Sequence, residues 1–335
     1  MLEPPDLPDD RIVAAVRRHY GFALTTLAFL PLGADVWSWS FRAVTADATY
    51  FLKLRQGAVR EATLRVPRSL VDQGVPRTVA PLPTRDQQLW VEVDGFTLAL
   101  YPFVDGTTGM ARGLEERHWR TFGAALRAMH DTPLAPDLVP LVPCETFATG
   151  PGDAVRALDA HIDARTFTDP VERDLAAFWR RRRAEVMALV ARFGALGQQL
   201  RAAPPPLVLC HADVHPNNVL VDTDDRLWIV DWDDTMLAPK ECDLMMGVGG
   251  LGNYPAGPRE AGWFLSGYGG TEVDLVALAY YRHGRALGDI YADGEQVLLP
   301  GASEATKRDG LQRMEKLFAP GYIVSLARQL DHVVT

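Results

Sequence analysis

The chain has 335 residues, 47% of them hydrophobic, and a formal net charge of −9. That is enough apolar material for a large core in two domains or lobes, and the negative charge argues against nucleic acid as a partner, because phosphate binding needs a basic face. Cys144, Cys210 and Cys242 are odd in number and far apart, which excludes a disulfide framework and a zinc pattern and fits a reducing cytoplasm. The start, MLEPPDLPDDR, is acidic and proline-rich with no apolar signal region, and no apolar run approaches a membrane span. A cytoplasmic protein is therefore expected. Only Lys53, Lys240, Lys307 and Lys316 are lysine. Where arginine is the default cation, each retained lysine hints at a role.

In chain order, residues 11–20 carry Ile12, Val13, Val16 and Tyr20 at near-helical spacing, with Asp9 or Asp10 as N-cap. Residues 24–30 read as a strand, 31–35 as a turn, and 36–44 as a second strand with Trp37, Trp39 and Phe41 alternating. Such a strand–turn–strand can lay backbone N–H groups over phosphates; taken alone it reads as an ordinary hairpin. Residues 50–54 form a strand with Lys53 among apolar neighbours, and a lysine is costly to bury unless paired. Glu61 follows in a helical stretch, 59–71. Residues 89–93 and 96–103 read as a hairpin closed by Asp94-Gly95, running into Tyr101-Pro-Phe103-Val-Asp-Gly106.

Beyond residue 106 the chain turns mostly helical. Leu114, Trp119, Phe122, Leu126 and Met129 make a core-facing stripe over 114–130. Residues 133–152 are loop-rich. Residues 174–200 are a long amphipathic segment whose Arg180–Arg183 run reads as a solvated face. Further helices are expected at 263–268, 273–286 and 311–318. Gly247-Val-Gly249-Gly-Leu-Gly252 matches a dinucleotide-binding pattern, but that pattern needs a preceding strand and a following helix. Here the lead-in looks helical and Asn253-Tyr-Pro follows, so the match is rejected.

The most informative stretch is 207–234, LVLCHADVHPNNVLVDTDDRLWIVDWDD. Apolar runs at 207–210, 219–221 and 227–230 read as short strands, with a turn at 222–225. Between the first two lies His211-Ala-Asp213-Val-His-Pro-Asn-Asn218, and Asp231 ends the last. A strand repeats every two residues, so Asp213 and Asn218 cannot share one straight element and meet a common metal; a loop can fold both toward one point. Phosphoryl transfer from ATP needs an acid that orients the attacking hydroxyl, with an amide and a carboxylate that hold Mg²⁺. Hard oxygen ligands of this kind suit Mg²⁺.

These residues resemble the catalytic core of the aminoglycoside phosphotransferases, relatives of the protein kinases. The carrying motifs are His-x-Asp-(x)4-Asn and Val230-Asp231-Trp232-Asp233, supported by the run Leu237-Ala-Pro-Lys-Glu-Cys-Asp243. The resemblance implies an α+β, bilobal protein-kinase-like fold with a small antiparallel N-lobe (1–100), a hinge (101–106) and a mainly helical C-lobe (107–335). It implies Asp213 as catalytic base, Asn218 and Asp231 as metal ligands, and Lys53, steadied by Glu61, on the α/β-phosphates. It places Gly33, Ala34 and Asp35 in a phosphate-covering loop, although the kinase glycine repeat is missing, and Tyr101 and Phe103 at the adenine.

Stretches such as Gly33-Ala-Asp35, Met236-Leu-Ala-Pro-Lys-Glu241, Gly267-Tyr-Gly and Tyr280-Tyr-Arg-His283 are most similar to the spectinomycin 9-phosphotransferase branch. The implied activity is ATP- and Mg²⁺-dependent phosphorylation of an aminocyclitol antibiotic, spectinomycin at its 9-hydroxyl, by a monomer or homodimer. Asp233, Asp234, Glu241 and His283 are candidates for meeting the cationic acceptor. A same-fold kinase acting on another aminoglycoside, choline or homoserine shares every core motif. A non-catalytic binding module of the same fold is disfavoured by intact Lys53, Asp213, Asn218 and Asp231.

Overall fold

The computed structural model describes residues 4–32, 37–250 and 256–331. In chain order the elements are α1 (Asp9–His19), β1 (Thr26–Leu30), β2 (Ser38–Val44), β3 (Thr49–Gln56), α2 (Glu61–Asp72), β4 (Val91–Val93), β5 (Phe96–Pro102), β6 (Gly106–Thr108), α3 (Gly109–Arg112), α4 (Glu116–Asp131), α5 (Gly150–Asp163), α6 (Pro170–Ala202), β7 (Val208–Cys210), β8 (Val219–Asp222), β9 (Leu227–Ile229), β10 (Met236–Ala238), α7 (Glu241–Gly247), α8 (Pro258–Tyr268), α9 (Leu275–Leu298), α10 (Glu304–Leu317) and α11 (Ile323–Gln329). This is the α+β, protein-kinase-like architecture expected. Among the described residues no helix is long and apolar enough to cross a membrane.

The chain divides into two compact units, Met1–Pro143 with His211–Thr235, and Cys144–Cys210 with Met236–Thr335. These cut the chain elsewhere than the lobes expected around a hinge at 101–106. The reason lies in strand pairing. The β8–β9 hairpin hydrogen-bonds to β6, giving a three-stranded sheet ordered β6-β8-β9, and Ile229 bridges to Thr78, so residues 211–235 belong with the N-terminal residues.

In the first unit a five-stranded antiparallel sheet runs β1-β2-β3-β5-β4. One face buries Phe41, Ala43, Leu52, Leu54, Leu98 and Leu100 under Ile12 and Val16 of α1. Alternation makes this possible, since every second side chain of a strand shares a face. The β4–β5 turn has φ of 48° at Asp94 and 84° at Gly95, the doubly positive geometry that Asp-Gly favours. Asp94 also receives both Arg11 donors, at 2.8 and 2.9 Å. The N-cap of α1 is Pro8, not Asp9 or Asp10. Both aspartates lie inside the first turn, where their charge complements the helix dipole.

The second unit is built on α9, which packs against α5, α6, α7, α10 and α11. Its small sheet pairs β7 with β10. The Arg180–Arg183 run is solvated as expected: Arg182 pairs with Glu185 and Arg183 with Asp159. Helices α5 and α11 go beyond the sequence expectation; α11 has only seven residues, and α5 opens on Gly-Pro-Gly, a poor helix signal. The rejected glycine run also finds its reason here. Its first glycine, Gly247, is the last residue of α7, a helix where the pattern needs a strand. A Cβ on Gly247 would stand 2.3 Å from the Phe264 ring, and Gly249, at φ +91°, lies against the buried Arg282 guanidinium. Gly247 and Gly249 serve close packing.

Candidate active site

Lys53 is held in the middle of β3, opposite Ser40 of β2 and Ala99 of β5. Its neighbours Leu52 and Leu54 point into the core and are fully buried, so Lys53 emerges from the opposite face. Arg55 and Phe51, two residues to either side, share that face. Tyr101, opposite Phe51 on β5, shares it too, and the two rings lie edge to face at 6.2 Å.

After β9 the chain makes a tight turn. Asp231 has φ 65°, a left-handed conformation uncommon for a residue other than glycine. Trp232 is buried, its ring 4.7 Å from that of His211. His211, itself fully buried, hydrogen-bonds the Val230 carbonyl through Nε2 at 3.0 Å. This inward-facing pair pins the turn, so that Asp231 and Asp233 both face Lys53. The Lys53 ammonium donates to Asp231 Oδ1 at 3.1 Å and Asp233 Oδ2 at 2.9 Å, and Arg55 Nη1 donates to the same Asp233 oxygen at 3.0 Å.

The loop between β7 and β8 folds Asp213 and Asn218 together. Asn218 Nδ2 donates to the Asp213 carbonyl at 2.9 Å and lies 3.4 Å from its Oδ2. The loop is braced by His215 N to Asp213 O (2.9 Å), Asn218 N to His215 O (2.8 Å) and Val230 N to Asn218 O (3.0 Å). His215 accepts from the Asn217 N–H at Nδ1, leaving Nε2 to face Asp213 Oδ2 at 3.4 Å.

Electrostatics tie these pieces together. Burial alone would lower the Lys53 pKa, but Asp231 and then Asp233 outweigh it and hold the ammonium above the ordinary lysine range. Burial raises the Asp233 carboxyl, yet Lys53 and Arg55 hold it below the usual carboxylate range. Asp234 goes the other way: loss of hydration first, then the charge of Asp213 with help from Asp233 and Asp231, raise it despite Arg60. Carboxylates thus gather here in excess of their cations, and the Asn218 side-chain amide lies beside Asp213. Carboxylate and amide oxygens are hard donors, the type that suits Mg²⁺.

Not every expected residue joins this cluster. Glu61 is the first residue of α2, is exposed, and pairs with Arg65 one turn on at 3.3 Å rather than with Lys53. Lys53 is already held by the aspartates. Glu241 is buried in the second unit, where it accepts from Lys240 Nζ (2.7 Å) and from the Asp274 N–H (3.0 Å) at the start of α9. His283 is fully buried on α9, its Nδ1 on the Ala279 carbonyl at 2.8 Å and its Nε2 3.3 Å from Asp331. Both are thus bound into the core of the second unit, apart from the aspartates around Lys53. Phe103 follows β5 with the Arg42 guanidinium 5.3 Å from its ring. Gly33, Ala34 and Asp35 lie outside the described residues. Sequence reading missed Arg55 and His215. The Lys-x-Arg spacing on one strand face was the available signal for Arg55; His215 carried none beyond its place inside the motif.

A loop that folds an aspartate against an asparagine, and a strand-end aspartate facing a strand lysine, have the arrangement of a protein-kinase-like phosphotransferase. The protein is a kinase acting on a hydroxyl group, with ATP as phosphate donor. The model of the phosphotransferase enzyme family matches residues 31–283, and the chain belongs to that family. Its structure is similar to that of spectinomycin phosphotransferase APH(9)-Ia in complex with ADP and spectinomycin: 29% identity, 98% of this chain and 99% of that one covered, TM-score 0.89. The AMP-bound complex of the same enzyme aligns at 28% identity over 96% and 98% of the two chains, TM-score 0.84. An ethanolamine kinase of Plasmodium vivax shares the fold at 15% identity over 94% and 88%, TM-score 0.58. No curated protein matches the chain.

Proposed function

We propose that the protein phosphorylates an aminocyclitol antibiotic, spectinomycin at the 9-hydroxyl, and so confers resistance to it. The observation that carries this reading is the end-to-end likeness, at TM-score 0.89, to an enzyme whose structure holds ADP and spectinomycin. The site chemistry supports the reaction type. Asp213 accepts a hydrogen bond from the acceptor hydroxyl, fixes its direction and takes its proton as the bond to phosphorus forms. His215 and Asn218 keep the Asp213 carboxylate in place. Lys53 contacts the α/β-phosphates, and Tyr101 and Phe103 flank the adenine. Asn218 and Asp231 would hold Mg²⁺, which when bound neutralises phosphate charge. The transition state of phosphoryl transfer is loose, so positioning and charge neutralisation count for more than proton removal.

The test is product formation. Purified protein is incubated with MgATP and, in parallel, spectinomycin, streptomycin, kanamycin or choline, and each acceptor is weighed by mass spectrometry. A one-phosphate gain on spectinomycin alone is expected. Gain on another acceptor keeps the chemistry and discards the substrate; no gain on spectinomycin overturns the proposal. Asp213→Ala should lower turnover by roughly 10²–10⁴, the range for a general base.

A further inference from the structure

We propose that Asp233, braced by Arg55, is the residue that positions Lys53 for the nucleotide, in the part the resemblance assigns to Glu61. This rests on the reading of Lys53 as the phosphate-binding lysine. Three observations carry it. Lys53 and Arg55 project from the same face of β3, and both donate to one oxygen of Asp233, at 2.9 and 3.0 Å. The three side chains are shielded, with exposures of 20% for Lys53, 27% for Arg55 and 28% for Asp233, so their charges act more strongly than on an open surface. Glu61, by contrast, is 44% exposed and paired to Arg65 within its own helix.

The consequence is a change in which element holds the lysine. A carboxylate on α2 would make the position of Lys53 depend on that helix. A carboxylate at position 233 makes it depend on the turn that also carries Asp231. Residues 231 and 233 flank the buried Trp232, so one pinned turn orients both the nucleotide lysine and the carboxylate proposed for the metal. An ammonium has three donors. Two point at Asp231 and Asp233, which aims the third at a definite direction in which a phosphate oxygen can accept it. Asp233 is thus a positioning residue that acts through Lys53, and Arg55 keeps it there by occupying the same oxygen.

Isothermal titration of the full-length protein with MgADP tests this without needing the acceptor. E61Q should bind within about twofold of wild type. D233N should bind about ten- to a hundredfold more weakly, as expected when a charged hydrogen-bond partner is lost. In a K53M background, D233N should add less than about twofold, because its effect runs through the lysine; a merely structural role would repeat the full loss there. Should D233N not fold, R55M replaces it in the same cycle, with a weakening of about threefold or more that also vanishes in K53M. Glu61 is exposed, so E61Q folds in any case. A tenfold loss in E61Q, wild-type binding by D233N, or undiminished loss in the K53M background overturns the proposal while leaving Lys53 a nucleotide residue. Wild-type binding by K53M overturns the nucleotide reading of Lys53 and this proposal with it.

Discussion

Asp222 closes the β8–β9 hairpin with a side chain only 9% exposed. It accepts from the Trp228 indole (2.8 Å), from Arg226 Nε (2.9 Å), and from the backbone N–H groups of Asp224 (3.0 Å) and Arg226 (2.8 Å). Burial raises its pKa, but these donors outweigh burial and bring it down to about 2. A depressed carboxylate pKa means stability that is present above the unfolded value near 4 and lost as pH falls toward 2. Asp222→Asn should therefore cost about 1–3 kcal/mol at pH 7, and the gap to wild type should close between about pH 4 and pH 2. Urea unfolding across that range measures it; a gap independent of pH would show that the charge is not what matters. Trp228 supplied an apolar strand residue in the sequence, and only the folded hairpin shows its indole serving the turn.

At the scale of elements, caps decide where helices start. Asp169 accepts from the N–H groups of Val171 and Glu172 at the head of the 33-residue α6, and from Lys307 of α10 at 3.0 Å. Lys307 also reaches Glu172 at 2.6 Å. Asp169→Ala should cost about 1–2 kcal/mol through the lost cap, read as a drop in denaturation midpoint with the unfolding slope unchanged. Lys307→Met should cost less, since the cap survives it. The element reading from sequence succeeded where periodicity and turn chemistry agree. The Asp94-Gly95 hairpin and the stripe on α4 are examples. It failed at the N-cap of α1, where two aspartates compete as signals and Pro8 takes the position. It also stopped short at α9, which continues from Ala286 to Leu298, because the glycines at 288 and 294 interrupt the helical pattern.

At the scale of the whole molecule, the residues proposed to meet the nucleotide, Lys53, Asn218 and Asp231, fall in one compact unit. MgADP at a hundred times its Kd should stabilise the folded protein by about 2.7 kcal/mol. The protection should be concentrated in that unit. Under limited proteolysis with MgADP, cleavage within residues 37–72 should slow, while cleavage within 304–329 should keep its rate. Equal protection of both segments would contradict that placement.

What the sequence by itself determined is the chemistry and the class of fold. His-x-Asp-(x)4-Asn and Val-Asp-Trp-Asp are local patterns, and the strands around them are short apolar runs whose period is legible without a partner. Asp213, Asn218 and Asp231 stand out from these patterns, and Lys53 as a scarce lysine within an apolar strand. What only the tertiary structure decided is who pairs with whom across long separations. Lys53 and Asp233 are 180 residues apart, and no spacing rule says that Asp233 rather than Glu61 reaches the lysine. Nor does any rule say that Glu241 and His283 are buried within the second unit. A side chain's charge is written in the sequence; the partner that neutralises it depends on where two distant turns come to rest, because Coulomb attraction and hydrogen bonding act over ångströms in space and not over residues in the chain.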